Sequence, residues 1–535
     1  MSDVSIGWMC MEDGMGIYLN PGSEKLAISR RSQIYIDKSG IIRKLNTFFD
    51  TEDRFVCVSR PRRFGKSMTA NMISAYYDRT VDGEKVFSGL DIVRDKSDHA
   101  HMNECDVVFL NMQEFLSRTH TMTEFLNRLK KFVLSELKNE YSTIAYLDDQ
   151  DLAQTMGDIY ATTGRKFVVI IDEWDCIFRE YREDLEAQKV YLDFLRDWLK
   201  DKAYIGLAYM TGILPIKKYG THSALNMFAE YSMTNAVPLD SYMGFTTDEV
   251  KALSEQYQVS FDEVKSWYDG YFLKNIGDIY SPRSVVQVMK TGIFDDYWNQ
   301  TETFDALKVY IDMNYDGLRD AVLALMAGGR IKIDIRTFSN DMTTFSGYQD
   351  VLTLLIHLGY LGYDFDEKEV FIPNREVLME FVSATRASKW DEIMHSVVLS
   401  EDLLRAAWKQ DADKVAQGVE KAHLETSHLQ YNDENALSYT ISLAFYAARQ
   451  YYTVIRELPT GEGFADVAFI PRRKYADKPA MLVELKWKQD ADTAIRQVYE
   501  KKYPEGLSEY KDNLLLIGIN YDKKTRKHTC IIEKA

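Results

Sequence analysis

The chain has 535 residues, 46% of them hydrophobic, and carries 82 Asp and Glu against 65 Lys and Arg, a net charge of −17. That length allows about two to four domains, and the acidic balance excludes a generally basic, nucleic-acid-coating surface without excluding a local basic cleft. No run reaches the roughly 18 uninterrupted apolar residues of a membrane span, the first residues lack a basic leader region, and the five cysteines are scattered without metal-ligand spacing; the expectation is a reduced, cytoplasmic protein with no membrane partner.

Residues 1–14, rich in Met, Gly and Asp, read as an extension, with ordered sequence starting near Met15. The apolar runs Phe55–Val58, Val107–Leu110, Phe167–Ile171 and Tyr204–Met210 predict strands, and stretches 122–140 and 184–200 predict long helices between them. Strands alternating with helices predict an α/β domain with a largely parallel sheet over 15–240. After about 240 the β signal fades. Residues 246–258 and 261–269 predict helices, each opened by a Thr or Ser/Asp start signal; Gly270 ends one and Ser281-Pro282 begins another. Short helices continue over 303–395, and helix 350–358 followed by a hairpin (Tyr360–Tyr363, Glu369–Ile372) outlines a winged-helix unit. Residues 396–430 are helical and densely charged, which completes a middle region over 241–430. From 431 a compact α/β module is expected: helix 434–450, strand 451–457, a tight turn at Thr460–Gly463, strands 464–470 and 481–487, helix 490–503 and strand 513–518.

Two constellations carry chemistry. The first is Arg60-Pro61-Arg62-Arg63-Phe64-Gly65-Lys66-Ser67, directly after the strand Phe55–Val58. A strand feeding a turn that ends Gly-Lys-Ser is how a P-loop is built: backbone N–H groups and a helix N-terminus hold the phosphates, Lys66 reaches the β- and γ-phosphates, and Ser67 holds Mg²⁺. Arg60 stands where the first glycine of the usual pattern would be. About a hundred residues on, Phe167–Ile171 ends in Asp172-Glu173. A buried strand delivers Asp172 to Mg²⁺ and Glu173 to the attacking water as general base. Thr211, closing the strand before Gly212, is the candidate contact to the γ-phosphate or the water. Arg60, Arg62 and Arg63 either neutralise phosphate charge, one acting as an arginine finger in cis, or pair with acidic neighbours such as Glu173 and Asp175.

The second constellation lies near the end. Asp466 sits on strand 464–470, and Glu484 and Lys486 sit on the next strand at i and i+2, hence on one face. Two carboxylates and a lysine suit metal-assisted phosphodiester hydrolysis: Asp466 and Glu484 as Mg²⁺ ligands and Lys486 orienting the water. Glu434 on the preceding helix and Gln497 on the following one are accessory candidates. A surface ion pair is the plain alternative, since Glu-x-Lys is common.

With both sites in view, the chain resembles bacterial AAA-ATPase-like proteins that end in a PD-(D/E)XK nuclease-superfamily domain. The resemblance covers nearly everything from Met15. It is carried by Tyr35–Gly40, Ser59–Ser67, Ile171–Asp175, Thr211–Ile216, Gly244-Phe245-Thr246, Trp267–Tyr271, Gly463–Asp466 and Glu484-Leu485-Lys486. It implies a P-loop ATPase domain with a parallel sheet, a helical and winged-helix-like middle, and a nuclease-like α/β module. By analogy it implies ATP and Mg²⁺ as cofactors, DNA or RNA as partner, and compatibility with a homo-oligomer. Ala465 stands where that nuclease pattern has its proline. The function expected is ATP binding and hydrolysis coupled to Mg²⁺-dependent cleavage of nucleic acid. The alternative is an ATP-driven switch whose nuclease-like module only binds nucleic acid or a protein.

Overall fold

The computed structural model describes residues 16–95, 99–216, 225–298, 304–313, 315, 317–326, 329–339, 345–387, 400, 402–425, 441, 444–446, 448, 451–460, 463–487, 491–501, 507, 509–510, 512–522, 525 and 527–535. The extension 1–14, Glu434 and most of the helix expected over 434–450 lie outside them. Among the described residues no helix is long and apolar enough to cross a membrane. The chain divides into two compact units, Met1–Thr301 with Lys332–Val377, and Glu302–Ile331 with Leu378–Ala535.

In the first unit, Phe55–Ser59 (β1), Asp106–Asn111 (β2), Phe167–Asp172 (β3), Ile205–Gly212 (β4) and Ala229–Tyr231 (β5) form a parallel sheet in the order β2-β3-β4-β1-β5. The first four coincide with the expected apolar runs, because strands buried on both faces must be apolar throughout; β1, β3 and β4 are buried along their whole length. β5 was not expected: three half-buried residues leave no pattern to read. The helices Lys66–Tyr77 (α1), Met122–Glu140 (α2) and Leu185–Leu199 (α3) separate the strands. Thr121 and Asp184 cap α2 and α3 by accepting from Glu124 N–H and Ala187 N–H. Because every strand is parallel, their C-terminal ends bring Ser59, Asn111, Asp172 and Thr211 to one edge.

The region after 240 is not purely helical. Phe245–Thr246 (β6), Tyr271–Leu273 (β7) and Gly277–Tyr280 (β8) make a small antiparallel sheet in the order β6-β8-β7. Strands of two to four residues are too short to show alternation. Around it pack Thr247–Tyr257 (α4), which opens on a Thr246/Glu249 capping box, Phe261–Tyr268 (α5) and Pro282–Thr291 (α6). Tyr348–Leu358 (α7) leads into an antiparallel hairpin, Gly362–Asp364 (β9) with Glu369–Phe371 (β10), the helix-then-hairpin outline expected from the sequence.

The second unit ends in a five-stranded mixed sheet: Tyr452–Thr460 (β11), Gly463–Pro471 (β12), Ala480–Trp487 (β13), Leu514–Asp522 (β14) and Lys527–Lys534 (β15), paired in sequence order. Only β13 and β14 are parallel, joined across helix Ala491–Glu500 (α9; α8 is Ala412–Glu425). One face packs Val467, Phe469, Val483 and Ile517 against residues of α8, and the other packs Leu482, Leu514 and Leu516 against Ile495 and Val498 of α9. The final strand β15 was not expected. It is an edge strand with Lys527 and Lys534 at its ends, and the charges that protect an edge also hide its periodicity.

Candidate nucleotide and metal sites

At the edge of the parallel sheet, Asp172 is 1% exposed and serves as a hub. Its Oδ2 accepts from Ser67 Oγ at 2.7 Å and from Asn111 Nδ2 at 3.3 Å, and its Oδ1 accepts from the Thr211 hydroxyl and from Glu173 N–H at 3.2 Å. Ser67, Asp172 and Thr211, expected from three separate stretches, therefore meet on one carboxylate. Burial pushes the Asp172 carboxyl up; the Thr211 and Ser67 hydroxyls oppose that.

The loop before α1 is tightly formed. Gly65 adopts φ +90°, where a side chain is strained, and a Cβ built there meets nothing within 4 Å, so the loop is open above it. Lys66 is buried, and its Nζ donates to Arg60 O and Pro61 O, both at 2.9 Å. Burial pushes its ammonium pKa down, while Glu173, Asp175 and Asp172 nearby pull it up.

The arginines part ways. Arg60 is fully buried; its Nη1 donates to Ser59 O and Tyr231 O, which ties β1 to β5. Burial lowers its pKa to about 10. A guanidinium enclosed in this way braces the sheet, while its Nε and Nη2 have no hydrogen-bond partner among the described residues. Arg63, at φ +68°, sends Nη1 to Tyr297 O. Arg62 is the one whose charge is felt by Glu173 and Arg179. Phe64 is 1% exposed. Its ring meets Tyr271 edge-on at 5.4 Å, and its carbonyl accepts from Gly244 N–H at 3.2 Å. A Cβ on Gly244 would sit 3.1 Å from that ring, and one on Gly359 would sit 2.7 Å from Pro61 and 2.6 Å from Trp298. The Tyr271 hydroxyl closes the seat by donating to Gly359 O at 2.7 Å. Phe64 thus anchors the loop against Tyr271 and Gly244.

Glu173 follows Asp172 in the left-handed region at φ +56°, a cost of order 1–3 kcal/mol that a non-glycine residue bears when its surroundings fix it. Its Oε2 pairs with Arg179 Nη2 at 2.6 Å. Burial raises the Glu173 carboxyl, but Arg179, Lys66 and Arg62 outweigh burial and hold it below the ordinary range. Sequence reading did not single out Arg179. The Asp175–Arg179 spacing of four residues was the one signal for it.

In the C-terminal sheet the β12–β13 ladder runs to Val467↔Val483, and there the next residues are Asp466 and Glu484. Asp466 Oδ2 accepts Leu485 N–H at 2.7 Å, which replaces a ladder bond and holds the side chain beside Glu484. Glu484 is 1% exposed. Its Oε1 accepts from Lys486 Nζ at 2.9 Å and from Gln497 Nε2, while its buried Oε2 has no hydrogen-bond partner among the described residues. Burial first, then the Asp466 charge, lifts the Glu484 carboxyl to about 7 against the pull of Lys486. Asp466, Glu484, Lys486 and Gln497 are brought together as expected; Glu434 lies outside the described residues.

Residues 25–222 match the family model described as a predicted AAA-ATPase, and residues 433–530 match that of the PD-(D/E)XK nuclease superfamily. The chain carries an AAA-ATPase-like domain followed by a C-terminal nuclease-superfamily domain. The ATPase-like match contains the loop 60–67, Asp172, Glu173 and Thr211, and the nuclease-superfamily match contains Asp466, Glu484, Lys486 and Gln497. No curated protein matches the chain. Solved structures similar to it include the ORC2 protein of Aeropyrum pernix in ADPNP-ADP complexes, at 12% identity over 69% of this chain and 99% of that one with a TM-score of 0.30. Others are Cdc6p of Pyrobaculum aerophilum, at 8% identity over 70% and 99% with a TM-score of 0.27, and the ADP form of the Aeropyrum ORC2, at 11% over 68% and 93% with a TM-score of 0.23.

Proposed function

We propose that the protein binds and hydrolyses ATP in its ATPase-like domain and couples this to Mg²⁺-dependent cleavage of DNA or RNA in its nuclease-superfamily domain, with working divisions at 15–240, 241–430 and 431–535. The observation that carries the reading is convergence at each site: Ser67 and Thr211 on Asp172, and Lys486 and Gln497 on Glu484.

At the first site the open face above Gly65, the N-terminus of α1 and the buried Lys66 fit a triphosphate. Lys66 would leave the carbonyls of Arg60 and Pro61 for the phosphates, and Arg62 would add positive charge. Ser67 and Asp172 would hold Mg²⁺, which shields the phosphate charge when bound. Glu173 takes a proton from the water that attacks the γ-phosphorus, and ADP leaves. At the second site, a buried carboxylate oxygen without a hydrogen-bond partner among the described residues, beside another carboxylate, is a hard-oxygen donor set that fits Mg²⁺. Asp466 and Glu484 would hold the ion, which acidifies water and stabilises the leaving oxygen. Lys486 orients that water, and Gln497 keeps the Glu484 carboxylate in place.

The test is paired assays on the full chain, ATP turnover and cleavage of plasmid and single-stranded DNA and RNA with Mg²⁺, with and without ATP. Glu173→Gln should lower ATP turnover by on the order of a hundredfold to ten-thousandfold, to a measurable residual rate, and Glu484→Gln should abolish cleavage; absence of cleavage by the wild type on every substrate overturns the nuclease reading. A second reading, an ATP-driven switch whose C-terminal module only binds, draws on the seat of Phe64 among Gly244 and Tyr271, which links the nucleotide loop to the β6–β8 region. It predicts turnover with no cleavage.

A further inference from the structure

None of the residues given a part in the proposed ATPase reaction orients its base, Glu173, but the Arg179 that pairs with it does. Arg179 lies on the short helix Cys176–Glu180. Its side chain is 11% exposed, with Nη2 at 2.6 Å from Glu173 Oε2 and 4.0 Å from Asp175 Oδ1. Asp175 is fully buried, and its Oδ2 accepts the N–H groups of Ile213 and Leu214 at 3.0 and 2.8 Å. The same carboxylate therefore fixes the segment after Thr211 and flanks the guanidinium. Burial disfavours the Arg179 charge, but Asp175 and Glu173 more than compensate, so it stays a cation.

The two oxygens of Glu173 have different fates. Oε2 is tethered to Arg179, while Oε1 has no hydrogen-bond partner among the described residues, and the side chain is 23% exposed. A general base needs that division: one oxygen fixed so that the carboxylate keeps its direction, and the other left to accept a proton from water. The left-handed backbone at Glu173 points the same way, since Trp174 N–H is held by Thr211 O at 3.0 Å and the side chain is held by Arg179.

We propose that Arg179 is the positioning residue of Glu173, holding the carboxylate by Oε2 so that Oε1 receives the proton of the attacking water. This rests on the ATP hydrolysis proposed above. Arg179 acts through Glu173 and not on the nucleotide.

A double-mutant cycle on the full chain tests it, with kcat and KM for Mg·ATP and the affinity for a non-hydrolysable ATP analogue measured for wild type, Arg179→Ala, Arg179→Lys, Glu173→Gln and the double variant Glu173→Gln/Arg179→Ala. Arg179→Ala should lower kcat by about tenfold or more while KM and analogue affinity stay within about threefold. Arg179→Lys should recover part of the rate, and guanidinium ion in the assay should partly rescue Arg179→Ala. The double variant should be no slower than Glu173→Gln alone, because the effect is routed through Glu173. A double variant slower than Glu173→Gln by the full factor of Arg179→Ala, or a raised KM with kcat kept, overturns the proposal while leaving ATP hydrolysis intact. Where Arg179→Ala fails to fold, the cycle is run with Arg179→Lys under the same criteria. A wild type without turnover overturns both readings.

Discussion

Asp172 and Glu484 are both buried carboxylates delivered by a strand of a central sheet, yet their oxygens are treated differently. Each oxygen of Asp172 already accepts from the protein, through Ser67 and Asn111 on one side and Thr211 and Glu173 N–H on the other. Glu484 commits Oε1 to Lys486 and Gln497 and leaves Oε2 without a hydrogen-bond partner among the described residues. Leaving a buried acceptor unpaired costs about 1–3 kcal/mol, so the two sites differ in where stability is given up. The proposed nucleotide site is satisfied by its own chain, and under that proposal a ligand there must break Lys66 away from Arg60 O and Pro61 O. The C-terminal site keeps a buried carboxylate oxygen that has no hydrogen-bond partner among the described residues.

The sharpest way to break this contrast is Lys486→Ala. It should lower nucleic-acid cleavage by on the order of a hundredfold to a thousandfold, the usual loss for one electrostatic group at a reacting centre, and leave ATP turnover within about twofold. Parallel loss of both activities would show that the sites are not separable. Next is Phe64→Ala, which empties the seat formed with Tyr271 and Gly244. Such a truncation costs ~3–5 kcal/mol and should lower the urea midpoint of the first unit without changing its m-value. A midpoint near that of the wild type would mean that the loop is not built into the fold. Lys66→Ala should weaken binding of an ATP analogue by about tenfold or more, and should also destabilise the protein by ~1–3 kcal/mol because two loop carbonyls lose their donor.

The smallest effect concerns Glu376, which supports the region on which the loop leans. Its carboxylate accepts from Ser284 and from the N–H groups of Tyr297 and Trp298, and Tyr297 O accepts from Arg63. Burial lifts the Glu376 carboxyl from the ordinary 4.5 to about 8, against those hydrogen bonds. An acid raised by folding binds more protons in the folded than in the unfolded state between those two values. Its contribution to stability is therefore greatest below about pH 4.5, falls as pH rises, and is fully lost above about pH 8. Glu376→Gln keeps an acceptor and removes the titration. Urea melts across that window should then decline less steeply with pH than those of the wild type; an unchanged slope would place the pH dependence elsewhere.

What was legible in the sequence follows from how much of each feature is local. The strands β1 to β4 and β13 are long apolar runs because both faces are buried, and the Gly-Lys-Ser turn and the Asp-Glu strand end carry their geometry in adjacent residues. The fates of Arg60, Arg62 and Arg63 were not legible. Residues one to three apart in a loop diverge according to backbone angles, and the φ of +68° at Arg63 has no signature in an arginine. Arg179 and Glu376 act through partners that are set by tertiary packing. Glu376 in particular reads as an ordinary acid near a helix start, where the helix dipole alone would explain it. The short strands β5 to β8 fall below the length at which alternation can be counted.

The most direct test is calorimetric titration of the full chain with Mn²⁺, with and without a non-hydrolysable ATP analogue, for the wild type, Asp172→Asn and Glu484→Gln. The account predicts that without nucleotide the chain binds Mn²⁺ at the C-terminal site, that Glu484→Gln removes this heat and Asp172→Asn keeps it, and that the analogue brings a further site lost only in Asp172→Asn. A wild type that gives no heat without nucleotide, or a Glu484→Gln variant that titrates like the wild type, would contradict it.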